Sequence, residues 1–397
     1  MSVMFTPSVI RGIEIRNRFV HSATYEGLCP DDGAVSDDLV KRYVNLAKGG
    51  VGLIIPGYMN VSADGKGLPY QTGIYKDELV PGLKRLADAA HEYGAKVFFQ
   101  LAHAGRQTKP DIIGGKPMGP SNKRIDPNYF FWPRQMTEND IRRVIEDFGK
   151  AAQRAAQAGA DGVQLHAAHG YLINQFLSPF TNLRKDDWGK SAENNFRFLK
   201  EVYQEVRLNL PEHMALAVKL NSHDYTPKPG ITPDLAAQYA EWLTELGIDA
   251  IEISSGNGTW AFMTVCRGDV PVAEIRQSLP IWQRPLANII LGRLRGKFDV
   301  SESYNLDLAR QVKPSMPKVP LILVGGNRQL SSMEQTVSSG EADFISMSRP
   351  FIREPFLVKR FQEGKTDQAS CTSCNRCFAA MPNDLPIRCY AQGFPAK

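Results

Sequence analysis

Gly159-Ala160-Asp161-Gly162-Val163-Gln164-Leu165-His166-Ala167-Ala168-His169-Gly170-Tyr171 is the stretch on which the reading of this chain turns. A helical pattern ends at Gly159, and the short apolar strand Gly162 to Leu165 follows, with His166 at its C-terminal tip. His169 and Tyr171 come within the next turn. Two imidazoles and a phenol at one strand end suit a reaction that builds negative charge on a substrate oxygen and then needs a proton. Spacing alone leaves three readings open: a catalytic group, two satisfied structural histidines, or a His-x-x-His metal pair without its remaining ligands.

Working outward, the same unit recurs. Apolar runs stand at Phe19-Val20, Val51 to Ile55, Lys96 to Leu101 and Gly162 to Leu165. Further runs stand at Ala215 to Leu220, Ala250 to Ile253, Pro320 to Val324 and Asp343 to Met347. Their near-continuous apolar character predicts strands buried on both faces, as in a parallel sheet. Between them, Ser36 to Lys48, Asp77 to Tyr93, Glu138 to Ala158, Ala192 to Val206 and Pro233 to Leu246 carry apolar residues at helical spacing. Thr137 and Thr232 read as N-caps, and Gly49-Gly50, Gly94, Gly159 and Gly247 as C-terminal stops. Eight β/α units predict an α/β protein of the (β/α)8 TIM-barrel class, with a doubly wound open sheet as runner-up; no Gly-x-Gly-x-x-Gly follows the first strand. Residues 1–360 are expected to form the barrel and 361–397 a cysteine-containing C-terminal extension packed on it. Long loops are expected after strand three, from Thr108 to Gln135, and after strand six, from Ser255 to Lys318.

Composition narrows the function classes. Apolar residues make up 43% and charged residues 22% of the 397, and the net charge of +5 is scattered. That speaks against nucleic acid and leaves room for an anionic ligand. The N-terminus has no basic region followed by an apolar run, no stretch is long enough to span a membrane, and Pro395-Ala396-Lys397 is no peroxisomal signal. A cytoplasmic protein acting on a small molecule, as monomer or homodimer, with neither nucleic acid nor membrane as partner, is the expectation.

In barrels the chemistry lies at the C-terminal strand ends. Strand one delivers Ser22-Ala23-Thr24-Tyr25, strand two Gly57-Tyr58, strand three Gln100 and His103, and strand four His166, His169 and Tyr171. Strand five delivers Lys219, strand six Ser254-Ser255-Gly256, strand seven Gly325-Gly326-Asn327-Arg328, and strand eight Ser348-Arg349. Glycines after strand seven let backbone N–H groups approach an anion, and Arg349 offers a forked partner for phosphate. Gln100 and Lys219 suit a flat heterocycle, and a buried Lys219 calls for an anion. Phosphate, heterocycle and the His/His/Tyr group together describe flavin mononucleotide laid across the barrel mouth.

These residues resemble the Old Yellow Enzyme family of FMN-dependent ene-reductases, in its NADH:flavin oxidoreductase branch. The resemblance runs from about Phe5 to Phe356 and rests on Asn17 to Val20, Gln100 to Arg106 and His166 to Tyr171. It continues through Phe176 to Pro179, with Asn182, Arg184, Asp186 and Gly189. It implies FMN with NADH or NADPH as hydride donor, and reduction of the activated C=C bond of α,β-unsaturated carbonyl or nitro compounds. It also implies His166 and His169 as holders of the activating group, Tyr171 as proton donor, and Tyr25 on the substrate side. Ser22, Ala23, Thr24, Gly57, Gln100, Lys219, Gly325, Gly326, Ser348 and Arg349 fall to the cofactor. Three departures stand out: Lys219 replaces the family's Arg, Ser22-Ala23-Thr24 lacks the usual Pro, and Ser255–Lys318 has no clear counterpart. Dienoyl-CoA reduction or amine demethylation on the same flavin barrel, and a flavin-free binding protein, are the rival readings.

Cys371, Cys374, Cys377 and Cys389 crowd the C-terminus. Relatives similar to 2,4-dienoyl-CoA reductase hold a four-iron cluster on Cys-x2-Cys-x3-Cys and a distal Cys, whereas the run here is one residue shorter. A cluster or zinc on four thiolates is one reading. No metal is assigned, the expectation being a residual tail packed under the barrel.

Overall fold

The computed structural model describes residues 2–127 and 131–395. Residues 128–130 of the loop after strand three and the last two residues of the C-terminal tripeptide lie outside the described residues. Thirteen strands occur among the described residues. An N-terminal hairpin joins β1 (Ser8–Ile10) to β2 (Ile13–Ile15). The tight turn is made by Arg11 and Gly12, both at positive φ (45° and 74°), the geometry that suits a two-residue hairpin. Then follow β3 (Phe19–His21), β4 (Leu53–Ile54), β5 (Met59–Asn60), β6 (Lys96–Ala102), β7 (Met118–Gly119), β8 (Arg134–Gln135) and β9 (Gly162–Ala167). The series ends with β10 (Ala215–Asn221), β11 (Ala250–Ser254), β12 (Leu321–Val324) and β13 (Phe344–Met347).

Eight of these close into a barrel in the order β3-β4-β6-β9-β10-β11-β12-β13, all parallel, with β13 pairing back onto β3. This is the (β/α)8 barrel that the eight apolar runs predict, and the open sheet is excluded by the closing pair. β5 extends the edge of β6, while β7 and β8 form a small ladder inside the long loop after β6.

Side chains alternate along the strands with period two. Phe19, Val97, Phe99, Val163, Leu165, Val218, Ile251, Leu323 and Ile345 point outward into the main core under the helices. Val20, Leu53, Phe98, Ala215, Ala217, Ala250, Ile322 and Phe344 point inward and fill the bottom of the barrel, where Ile10 and Ile15 of the hairpin plug it. Both faces are buried, which is why the strands read as continuous apolar runs.

The helices form where the spacing places them. Asp37–Lys48 starts at Ser36, whose side chain accepts from the Leu39 N–H. Glu138–Gln157 starts with a capping box between Thr137 and Asp140. Ala192–Asn209 runs three residues past its expected end, and Pro233–Glu245 is capped by Thr232. The expected helix from Asp77 begins as one 3-10 turn, Asp77–Leu79, and becomes α-helical at Val80–His91. Gly159 takes φ +74°, the left-handed conformation that sends the chain from helix to β9.

The connection after β11 is not a loop. It contains the helices Phe262–Val265, Val272–Gln277, Arg284–Gly292 and Leu306–Val312. Met263, Val270 and Val272 gather partly buried Phe262, Leu291, Leu294 and Phe298 into a small core of their own. The C-terminal segment pairs at Gln368 with Gln329 and then crosses the barrel mouth, not its underside. There Ala380, Ile387 and Tyr390 bury against Tyr25 and Ile352.

Candidate active site

Halfway up the barrel the inward-facing positions change from apolar to polar, two residues further along six of the eight strands. Val20 gives way to Ser22, Phe98 to Gln100, Gly162 to Gln164, Ala217 to Lys219, Ala250 to Glu252 and Phe344 to Ser346. The result is one connected layer. Gln100 donates to Gln164 Oε1 (2.6 Å), and Gln164 donates to Glu252 Oε2 (2.9 Å). Ser22 and Ser346 donate to Glu252 Oε1 at 2.7 and 2.9 Å. Lys219 Nζ donates to Ser22 Oγ (2.9 Å) and stands 3.3 Å from Glu252 Oε2.

The anion that a buried Lys219 calls for is thus supplied from within the barrel: it is the fully buried carboxylate of Glu252 on the neighbouring strand, opposite it in register. Glu252 and Gln164 are absent from the sequence-derived site. The signal for Glu252 is a lone carboxylate inside the apolar run Ala250-Ile251-Glu252-Ile253.

Above this layer, β9 delivers His166, and the chain turns sharply through His169 (φ +61°) and Gly170 (φ +84°). A non-glycine residue at positive φ is held there by surrounding bonds. The His169 carbonyl accepts from Gln107 Nε2 (2.7 Å) and from the Gly258 N–H (2.9 Å). A Cβ on Gly170 would lie 2.3 Å from Gln107 Nε2, so only glycine fits. Tyr171 then caps the short helix Leu172–Leu177. The ring centroid of His166 lies 5.2 Å from that of His169 and 4.6 Å from that of Tyr171. Tyr58, delivered by the segment after β4, stands 4.8 Å from Tyr171 and was not assigned to the site from sequence. His169 Nε2 is engaged with Ser254 Oγ at 2.7 Å, whereas buried His166 Nδ1 has no hydrogen-bond partner.

The rest of the quoted motif is scaffolding. Asn182 Nδ2 donates to the carbonyls of Phe176 and Trp188, and Arg184 binds Asp186 and the carbonyls of Pro120 and Met136. These bonds fold the chain that follows Tyr171 back onto the loop after β6.

Burial holds both imidazoles neutral. His166 lies well below the ordinary range, through burial, then His169 and Lys219 nearby. His169 is pushed down to about 3 by burial and then by Lys219. Because an unfolded chain would protonate His169 near 6.5, the unfolded state binds the extra proton between about 3 and 6.5, and stability falls as pH falls through that window. His21, also pushed to about 3 by burial, adds to the loss, while Glu26, raised by burial to about 7, opposes it above 4.5. Urea unfolding of the apoprotein at neutral pH and near pH 5 should show His169→Asn losing about 2 kcal/mol less than the parent on acidification. Equal losses in the two proteins would remove His169 from the account.

At the far side of the mouth, β12 ends in Gly325 (φ +125°) and Gly326 (φ +79°). A Cβ there would meet Asn305 Nδ2 at 2.5 Å and the Ser301 carbonyl at 2.4 Å, so this turn needs glycine twice. Ser348 Oγ hydrogen-bonds Thr24 Oγ1 at 2.7 Å. Arg349 lines the same end, its Nη1 donating to Asn375 Oδ1 (2.6 Å) and the Arg267 carbonyl (2.7 Å). Asn375 Nδ2 in turn donates to the carbonyls of Cys266 and Asp269. The C-terminal segment thus ties Arg349 to the excursion after β11, a link no local pattern announces. Cys371 and Cys377 face this end of the cavity, and burial raises the Cys377 thiol to about 12.

All of these groups surround one cavity of about 790 Å³. Ser22, Ala23, Thr24, Tyr25, Gln100, His166, His169, Tyr171, Lys219, Gly325, Gly326, Ser348 and Arg349 line it. Gly57 does not: its N–H donates to Glu26 Oε1 (2.9 Å), and a Cβ there would lie 2.3 Å from Glu26 Oε2. Gly57 stands one residue before Tyr58, which does line the cavity. Tyr25 donates to the Pro69 carbonyl and forms one wall.

The fit to FMN is good on three counts. The volume lies within the range of cofactor sites, a cation and a glycine turn stand at one end, and an unpartnered imidazole nitrogen stands at the other.

The profile of the NADH:flavin oxidoreductase / NADH oxidase family matches residues 3–267 and 259–368. This chain belongs to that family. The 4,4'-dithiodibutanoate disulfide reductase of Rhodococcus erythropolis is 32% identical over 375 residues, which is 94% of this chain and 92% of that one. A 2-naphthoyl-CoA reductase in complex with 2-naphthoyl-CoA superposes with a TM-score of 0.85 at 28% identity. It covers 98% of this chain, which spans 56% of that longer one. The old yellow enzyme homologue from Zymomonas mobilis superposes with a TM-score of 0.71 at 26% identity, over 92% of this chain and 94% of its own. As an NADH:flavin oxidoreductase of the Old Yellow Enzyme type, the chain is an oxidoreductase that uses FMN, with NADH or NADPH as reductant. No helix among the described residues is long and apolar enough to cross a membrane.

Proposed function

We propose that this flavin oxidoreductase reduces the activated C=C bond of α,β-unsaturated carbonyl compounds. The observation that carries the reading is the group at the end of β9 facing the cavity, in which the His166 ring centroid lies 5.2 Å from that of His169 and 4.6 Å from that of Tyr171. FMN, when bound, supplies the hydride that it takes from the nicotinamide. His166 and His169 bind and polarise the carbonyl oxygen, each as a neutral hydrogen-bond donor. Tyr171 holds a proton at its phenol oxygen for Cα, and a phenol keeps that proton at neutral pH. Tyr25 and Tyr58 wall the substrate side. Gln100 and Lys219 would meet the flavin ring, while Gly325, Gly326, Ser348 and Arg349 would hold its phosphate.

Anaerobic mixing of the NAD(P)H-reduced protein with 2-cyclohexenone tests the reading. Rapid reoxidation with formation of cyclohexanone is expected. Reoxidation by 4,4'-dithiodibutanoate but not by the enone would replace it with disulfide reduction. A protein that purifies without yellow colour and takes up no added FMN would leave only a binding role.

The phosphate assignment has its own test. Arg349→Ala should purify with most of its flavin lost, because a phosphate dianion loses its forked partner. Full flavin content in that variant would place the phosphate elsewhere in the cavity.

A further inference from the structure

The excursion after β11 turns one apolar face inward and another outward. Leu291 and Leu294 of its helical arm pack into the small core with Met263 and Val272, and Ile275, Leu279 and Leu291 line the active-site cavity. On the outer side Ile281, Trp282, Leu286, Ile289 and Ile290 are 79%, 77%, 61%, 54% and 52% exposed. Trp282, Leu286, Ile289 and Ile290 are spaced as one stripe along the 3-10 turn Ile281–Gln283 and the helix Arg284–Gly292. Contiguous exposure of five large apolar side chains calls for an occupant.

The charge around the stripe says which. Residues 275–298 contain Arg276, Arg284, Arg293, Arg295 and Lys297 and not one Asp or Glu, a local +5 equal to the net charge of the whole chain. Arg293, Arg295 and Lys297, directly after the helix, are exposed. Glu274, just before the segment, is neutralised by Arg376 at 2.8 Å. A second copy docked face to face would oppose these cations to themselves. Exposed Asp299, next after Phe298, is the one acidic residue directly following the segment and leaves the stretch from Arg276 to Asp299 at +4. A tryptophan and aliphatic residues beside a predominantly basic rim are the composition of a helix that lies in a bilayer interface.

We propose that this face docks the enzyme reversibly on an anionic phospholipid surface, with the stripe at the level of the headgroups and Arg293, Arg295 and Lys297 against their phosphates. The cavity wall formed by Ile275, Leu279 and Leu291 then stands next to lipid. This departs from the expectation of no membrane partner and does not depend on the reaction catalysed.

The test is co-sedimentation of the flavin-loaded enzyme with vesicles of phosphatidylcholine plus phosphatidylglycerol, and with vesicles of phosphatidylcholine alone. Binding to the anionic vesicles only, weakened by salt and accompanied by a blue shift of tryptophan emission, is expected. Replacing both Arg293 and Arg295 by Ala should weaken the partition by about 30-fold, at roughly one kcal/mol for each basic residue near the surface. Ile289→Ser with Ile290→Ser should abolish it, while turnover of a water-soluble acceptor stays unchanged because these side chains lie outside the cavity. No binding, or binding unaffected by either pair of substitutions, overturns the proposal. So does a dimer in sedimentation equilibrium that Ile289→Asp dissociates, or an acidic protein that occupies the patch at the expense of vesicles.

Discussion

Tyr171→Phe is expected to leave reduction of the enzyme by NAD(P)H nearly unchanged and to slow its reoxidation by a plain enone by about 10²- to 10⁴-fold, the usual worth of a positioned general acid. The substitution removes one hydroxyl and keeps the ring that packs 4.6 Å from His166 and 4.8 Å from Tyr58. The hydride acceptor therefore still finds its place, and only protonation of Cα is lost. A nitroalkene should suffer less, since its nitronate is stable enough to leave unprotonated. The structure adds a control that sequence did not suggest. Tyr58 carries a second phenol on the same wall, so Tyr58→Phe should have a small effect if Tyr171 is the acid. Stopped-flow traces of the two half-reactions decide the matter. Equal slowing of both in Tyr171→Phe, or the larger loss in Tyr58→Phe, would sink the assignment.

Glu252→Ala should destabilise the fold by about 3–5 kcal/mol, as removal of one partner from a buried ion pair does. It strands the Lys219 ammonium in the barrel and orphans the Ser22, Ser346 and Gln164 donors that now converge on one carboxylate. Lys219→Met alone should also cost stability, by leaving Glu252 unpaired. The double variant Glu252→Leu with Lys219→Met should recover most of the loss, since an apolar pair of similar volume replaces the charges. Urea unfolding of the three apoproteins gives the cycle, and simple additivity would show that the two charges do not depend on each other. Glu252→Gln should also raise the flavin midpoint potential, because it removes the negative charge that now offsets Lys219. A lowered potential in that variant would place the pair away from the flavin.

The barrel was legible because its cause is local and repeated. Strands buried on both faces read as eight apolar runs, and each helix between them carries its own spacing, its cap and its stop. The His166, His169 and Tyr171 group was legible for a similar reason: residues no more than five positions apart in one turn reach the same point wherever the strand ends. The need for glycine at position 57 was not legible, because the Glu26 carboxylate that a Cβ there would meet at 2.3 Å lies 31 residues away in the chain.

Sequence by itself determined the closed parallel barrel, the strand end that carries the phenol and the imidazoles, and the glycine turn beside Arg349. These follow from patterns contained within single β/α units. Only the tertiary structure decided that Lys219 is neutralised by Glu252, that Arg349 is braced by Asn375, and that the cysteine-bearing tail crosses the mouth. The same holds for the excursion after β11, which lines the cavity on one side and leaves an apolar stripe on the other. Each of these depends on which strand or segment lies next to which across 26 to 109 residues of chain, and charge pairing at that range leaves no periodic trace. A lysine and a glutamate on neighbouring strands become one ion pair only when the register sets them side by side in a buried layer of the barrel.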